Sequence, residues 1–123
     1  MRSPDDLAAL TPPDVLIECS AEPSVMSGAD GDSSYLYETN LTGAYNCLEL
    51  ARRSDSLFVF LSSSRVYPLA GLRSLELEET DTRFELAESQ PVAGVSPRGI
   101  SESMPLTGAR TLYGTTKLAA EML

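Results

Sequence analysis

Two apolar runs, "DVLIECS" (Asp14 to Ser20) and "SLFVFLSSS" (Ser56 to Ser64), constrain this chain more than anything else in it. Each is nearly continuous rather than alternating, the pattern of a strand buried on both faces of its sheet. Between them, "SYLYETNLTGAYNCLELARRS" sets Leu36, Leu41, Ala44, Leu48 and Ala51 at helical spacing. Arg52 and Arg53 close that segment, where cations complement the negative end of a helix. Strand, helix and strand in that order make a right-handed βαβ unit, so the two strands are expected to pair in parallel.

The flanks are less regular. "SPDDLAAL" (Ser3 to Leu10) reads as a helix, with Ser3 as N-cap, Pro4 in the first position and Asp5 and Asp6 at its positive end. "TPP" then stops it, and "AEPSVMSGADGDSS" reads as a polar loop. Residues 68–110 carry no long helical period. Within them "SLELEE" and "RFELAE" alternate around "TDT", which predicts a β-hairpin over Leu75–Glu78 and Arg83–Leu86, with Leu75 and Leu77 facing Phe84 and Leu86. The remainder, "SQPVAGVSPRGISESMPLTGA", reads as loop. A last helix starts near Leu112 and meets no Gly, Pro or polar stop, so it is expected to run to Leu123.

Two strands make a poor parallel sheet, since sheets average about five or six strands. The expectation is therefore α/β architecture of which this chain supplies a middle segment. With 123 residues it amounts to one domain at most. A net charge of −9 argues against nucleic acid and anionic membrane surfaces as partners. The chain has no histidine, which excludes Ser-His-Asp and Cys-His mechanisms and any His-ligated metal within it, and no metal is expected. Cys19 and Cys47 are not a C-x-x-C pair and each lies among apolar residues, so both read as small buried thiols rather than a disulfide. The longest apolar run, "LFVFL", is too short for a signal peptide or a membrane span, and the expected compartment is the cytoplasm.

Of nine basic residues only Lys117 is a lysine, and it stands four residues after Tyr113 in "LYGTTKLAAE". On a helix the two share a face. A cation beside a phenol favours the phenolate, which suits a tyrosine to general acid–base work; a pair on an amphipathic surface helix has the same spacing. Ser62, Ser63 and Ser64 follow the second apolar run, at the carboxyl end of a strand, where open α/β sheets bind ligands. Serine is equally a common turn residue. Small residues after the first run, Cys19, Ser20 and Ala21, let a flat ligand approach the backbone, or simply turn the chain. Asn40 is a polar residue inside the amphipathic helix, solvated or buried with partners.

"PDVLIECSA", "TNLTGAYNCLELAR", "FVFLSSSRVYP" and "LYGTTKLAAE", in this order and spacing, resemble the extended short-chain dehydrogenase/reductases, the NAD-dependent epimerase/dehydratase enzymes that act on nucleotide sugars. Within that family "CSAEPSV", "SSSRVYP" and "SPRGISE" look most like the CDP-paratose/CDP-tyvelose 2-epimerase branch. The resemblance implies a Rossmann-like doubly wound parallel sheet, here in part, with a long insert carrying the hairpin. It implies Ser63 as catalytic serine, Tyr113 as acid/base, Lys117 as the lysine on the nicotinamide ribose and Asn40 as its support. Cys19, Ser20, Ala21 and Ser62, with Tyr113 and Lys117, would line NAD. It also implies a nucleotide-sugar substrate and a homodimer formed through helices 34–53 and 112–123.

The family's glycine-rich turn, G-x-x-G-x-x-G, which carries the cofactor pyrophosphate at a helix N-terminus, has no counterpart here. Gly28 and Gly31 have the spacing of its first pair but follow the wrong strand and lack a third glycine. The sugar-binding lobe is also without a counterpart. Two readings follow: a segment of such an enzyme, 1–123, inactive alone, or a truncated or vestigial interaction protein of the same fold.

Overall fold

The two apolar runs pair in parallel, with Val15 opposite Leu57, Leu16 opposite Phe58, Ile17 opposite Val59 and Glu18 opposite Phe60. The computed structural model describes residues 1–24, 26–29 and 31–123. Val25 and Asp30, within the stretch read as a loop, lie outside the described residues. In chain order the elements are α1 (Pro4–Ala8), β1 (Val15–Glu18), α2 (Ser34–Tyr37), a π-helical segment (Glu38–Thr42), α3 (Gly43–Ser54), β2 (Leu57–Phe60), a 3-10 turn (Ser64–Val66), α4 (Leu69–Arg73), β3 (Leu77–Glu79), β4 (Phe84–Leu86), β5 (Val95–Ser96), β6 (Gly99–Ile100) and α5 (Leu112–Glu121). They divide into two units, Met1–Val66 with Thr111–Leu123, and Tyr67–Arg110.

In the first unit α3 packs on β1 and β2, and α1 packs on α3. Leu7, Leu36, Ala44, Cys47, Ala51 and Val66 form its buried apolar core. The expectation of strands buried on both faces is corrected here. Val15, Ile17 and Leu57 are 49 %, 62 % and 63 % exposed, because the helices that pack on the strands cover only the opposite face among the described residues. The long helix is one continuous rod through α2, the π-helical segment and α3. Its buried stripe runs Leu36, Asn40, Ala44, Cys47 and Ala51, with Leu41 and Leu48 only half-buried at its margin. Apolarity alone misplaced the stripe because Asn40 is buried with hydrogen-bond partners rather than solvated. The rod ends where Asp55 turns left-handed, at φ 55°.

α1 is shorter than the sequence suggests, and Ser3 occupies the N-cap position without a side-chain cap bond. Cys47 is buried as expected, but Cys19 is exposed, since it follows the last residue of β1 at the open end of the strand. α5 stops at Glu121 rather than running on to Leu123. Its last turn tightens, with the Met122 amide donating to Ala119.

The second unit contains the expected hairpin with a shifted register: Leu77 faces Leu86, Glu79 faces Phe84, and Leu75 lies outside the strands. The remainder is not all loop. It holds the small antiparallel pair β5–β6, and the one-turn helix α4 stands before the hairpin. These are too short to leave a period in the sequence. Met104 is buried, and Gly94, at φ +80°, passes so near it that a Cβ would stand 2.4 Å from the Met104 amide nitrogen.

Candidate active site

Parallel pairing puts the carboxyl ends of β1 and β2 on one edge of the sheet. The Leu61 amide extends the ladder by donating to the Glu18 carbonyl at 2.9 Å. Cys19, Ser20 and Ala21 therefore leave the sheet beside Ser62 and Ser63. The Ser63 hydroxyl accepts from the Arg65 amide at 3.1 Å and so starts the 3-10 turn. α5 packs against that turn. Its N-cap is Thr111, whose side-chain oxygen accepts from the Gly114 amide at 3.1 Å. Gly114 is what permits the approach, because a Cβ there would lie 2.1 Å from the Arg65 carbonyl oxygen.

α5 thus sets Lys117 against the end of β2. Lys117 is buried, only 2 % exposed, and its ammonium lies 4.0 Å from the centre of the Phe60 ring, a cation–π contact with the last residue of β2. Burial pushes the Lys117 pKa below its ordinary 10.5, while the charges of Glu18, Glu121 and Cys19 pull it back up. Tyr113, one turn earlier, is half-buried. Ser62 is exposed, and its hydroxyl bonds to the Glu121 carboxylate near the far end of α5.

Asn40 joins three elements. Its Oδ1 accepts from the Glu22 amide at 2.7 Å, and its Nδ2 donates to the Glu22 carbonyl at 3.4 Å and to the Thr116 hydroxyl at 3.3 Å. It sits in the π-helical segment, a local widening often found at functional sites. Asn40 therefore fixes the loop after β1 and the turn of α5 that bears Lys117, through Thr116 rather than by touching the lysine.

Sequence reasoning passed over Glu18. This carboxylate ends β1 and is only 3 % exposed. Its Oε1 accepts from the Ser20 amide at 2.9 Å and from the Ser20 hydroxyl, while Oε2 is buried without a partner among the described residues. The signal was present, as an acid inside an otherwise apolar strand demands an explanation. Gly114 and Thr116, both within "YGTTK", were also passed over; only the contacts of α5 reveal them.

Comparison with known proteins bears on this arrangement. Residues 2–123 match the NAD dependent epimerase/dehydratase family. The chain belongs to that family. No curated protein matches it. Among solved structures it is similar to Pal from Bacillus thuringiensis, with 22 % identity and a TM-score of 0.59 over 98 % of this chain and 31 % of that one. It is also similar to RMD from Pseudomonas aeruginosa, solved with NADPH, with 24 % identity and a TM-score of 0.64 over 98 % of this chain and 35 % of that one. At such identities the likeness is one of fold, and it makes this chain a partial Rossmann-like α/β structure. The chain spans about a third of the length of these two proteins. No helix among the described residues is long and apolar enough to cross a membrane.

The family's cofactor can be tested against these residues. A buried ammonium, small residues at the end of β1 and hydroxyls at the end of β2 fit the nicotinamide ribose. Gly28, at φ +78°, turns against Ser33, where a Cβ would lie 2.8 Å from that residue's Cβ. Gly28 has a structural role there.

Proposed function

We propose that this chain carries the catalytic segment of a nicotinamide-dependent nucleotide-sugar epimerase/dehydratase. The observation that carries the proposal is the seating of α5. Gly114 against the Arg65 carbonyl seats α5 on the turn that the Ser63 hydroxyl starts, and the buried Lys117, four residues after Tyr113, lies over Phe60 at the end of β2, within a chain of this family. Tyr113 is the acid/base that takes the proton of a sugar hydroxyl and later returns it. Lys117 stabilises the phenolate by its charge and holds the ribose, and Ser63 hydrogen-bonds the same sugar oxygen. Asn40 keeps α5 and the loop after β1 in place. Cys19, Ser20, Ala21 and Ser62 line the cofactor. Bound NAD supplies the hydride acceptor that lets a sugar alcohol pass through a ketone.

The family name supports NAD, and the wording of "CSAEPSV", "SSSRVYP" and "SPRGISE" supports a CDP-linked sugar. We further propose pairing of two copies through helices 34–53 and 112–123. Residues 1–123 alone bind NAD weakly and do not turn over, since no glycine-rich turn stands within them to hold the pyrophosphate.

The test is titration of the chain with NADH by fluorescence, with Tyr113→Phe and Lys117→Ala beside it. Weak binding that Lys117→Ala abolishes and Tyr113→Phe retains supports the assignment. Binding indifferent to Lys117 overturns it and favours a non-catalytic interaction protein. Turnover of a CDP-sugar by residues 1–123 would show that the pyrophosphate is held in some other way.

A further inference from the structure

Glu18 and Lys117 are both almost fully buried, at 3 % and 2 % exposure. Glu18 pairs with Phe60 in the parallel register, so the two side chains stand side by side on one face of the sheet. The Lys117 ammonium lies over the Phe60 ring, 4.0 Å from its centre. An acid on β1 and a base on α5 thus meet at Phe60, in one buried spot at the carboxyl edge. They make no direct ion pair. The Glu18 Oε1 is held by Ser20, and Oε2 is buried without a partner among the described residues.

We propose that Glu18 is a positioning residue for the Tyr113–Lys117 couple, its carboxylate keeping the buried Lys117 ammonium charged above Phe60. This rests on the catalytic reading of that couple, and nothing in that reading uses Glu18. A buried lysine discharges readily unless a negative charge stands near it. A neutral Lys117 would neither favour a phenolate at Tyr113 nor hold itself against the face of Phe60. The titratable groups around the spot are Glu18 of β1 with Cys19 after it, Glu121 of α5 and the Cys47 thiol of α3. Of these, Glu18 is the carboxylate that is itself buried, so water screens it least. Glu121 is exposed and bonded to Ser62.

The experiment exploits the single lysine of the chain. Labelling with ¹³Cε-lysine gives one side-chain resonance, and its pH titration reads Lys117 directly. In Glu18→Gln the amide oxygen can still accept from Ser20, so a purely structural role survives while the charge is lost. The expected result is an acid dissociation constant of Lys117 about tenfold larger in Glu18→Gln. Constants agreeing within about twofold overturn the proposal. Should Glu18→Gln fail to fold, the wild-type chain and Glu121→Gln are compared in the acid range. A carboxylate inflection of the Lys117 resonance that persists in Glu121→Gln supports Glu18; its absence from either chain overturns it. NADH titration of the same samples separates the two claims. Failure to bind NADH with an intact response of Lys117 to Glu18→Gln removes the enzyme reading and leaves the electrostatic pair. Lys117-dependent binding without that response removes the role of Glu18 alone.

Discussion

Gly114 lies so close to Arg65 that a methyl group added at its Cα would stand 2.1 Å from the Arg65 carbonyl oxygen. The obstacle is backbone, so it cannot be relieved by turning a side chain. Gly114→Ala must lift the start of α5 from the 3-10 turn. The expected loss of stability is about 2 kcal/mol, in the range of overpacked sites. Thr115→Ala, at an exposed position on the same helix, should stay within about 0.5 kcal/mol. Urea midpoints of the two variants check this, and equal midpoints would show that α5 does not sit as described.

Asn40 is the second support of the site. Its replacement by leucine keeps the volume but leaves the Glu22 amide without its acceptor and the Thr116 hydroxyl without its donor. The expected destabilisation is about 2 kcal/mol, the cost of a buried polar group left unpaired. Asn40→Asp retains an acceptor for Glu22, so its amide should exchange with deuterium more slowly than in Asn40→Leu. If the leucine variant matches wild type in both midpoint and exchange, the bridge from helix to loop carries no energy.

Much of this architecture is written in the order of the residues. The parallel pairing follows from two apolar runs around an amphipathic segment, and the register found, Val15 with Leu57, lies within the segments so expected. The hairpin was readable from alternation around "TDT", but not its register. Leu77 against Leu86 is set by the turn geometry, where Thr80 bonds Arg83, and alternation is indifferent to a shift of two residues. The exposure of Cys19 was not readable, because an apolar neighbourhood in sequence does not say where a strand ends. Glu18 and the π-helical segment around Asn40 were missed for a related reason. Both break the local rule of their element, and only tertiary partners show why the break is tolerated.

The two thiols should differ in reactivity. Cys19 is exposed at the end of β1, whereas Cys47 is buried, and its burial followed by the charge of Glu18 pushes its pKa above the ordinary value. The thiolate is the reacting form, so Cys47 is doubly protected. Native protein treated with a water-soluble disulfide reagent at neutral pH should show one fast thiol, located at Cys19 by mass mapping. The second should appear only with unfolding. NADH at high concentration should slow the labelling of Cys19, given its proposed place along the cofactor. Fast modification of Cys47 in the native state would contradict the packing of α3.

Lys117 predicts a particular dependence of stability on pH. Burial is the leading cause of its shift, and the direction is downward from 10.5. The unfolded chain therefore binds the lysine proton more tightly than the folded one. Stability rises with pH wherever the unfolded state holds more protons, so folding gains as pH climbs from the folded pKa of Lys117 towards 10.5. Below that window both states are protonated, and the folded chain bears the full cost of a buried ammonium, offset in part by Phe60 and Glu18. Lys117→Met keeps the length and apolar stem and removes the charge. At neutral pH it should be the more stable chain, and its advantage should shrink as pH enters the window. Groups that titrate alike in both chains cancel in the difference. Urea unfolding of the pair at a series of pH values measures it. An advantage for Lys117→Met that is constant from neutral pH to 10.5 would mean that the ammonium is solvated in the folded state, and the cationic anchor at the edge of β2 would be lost with it.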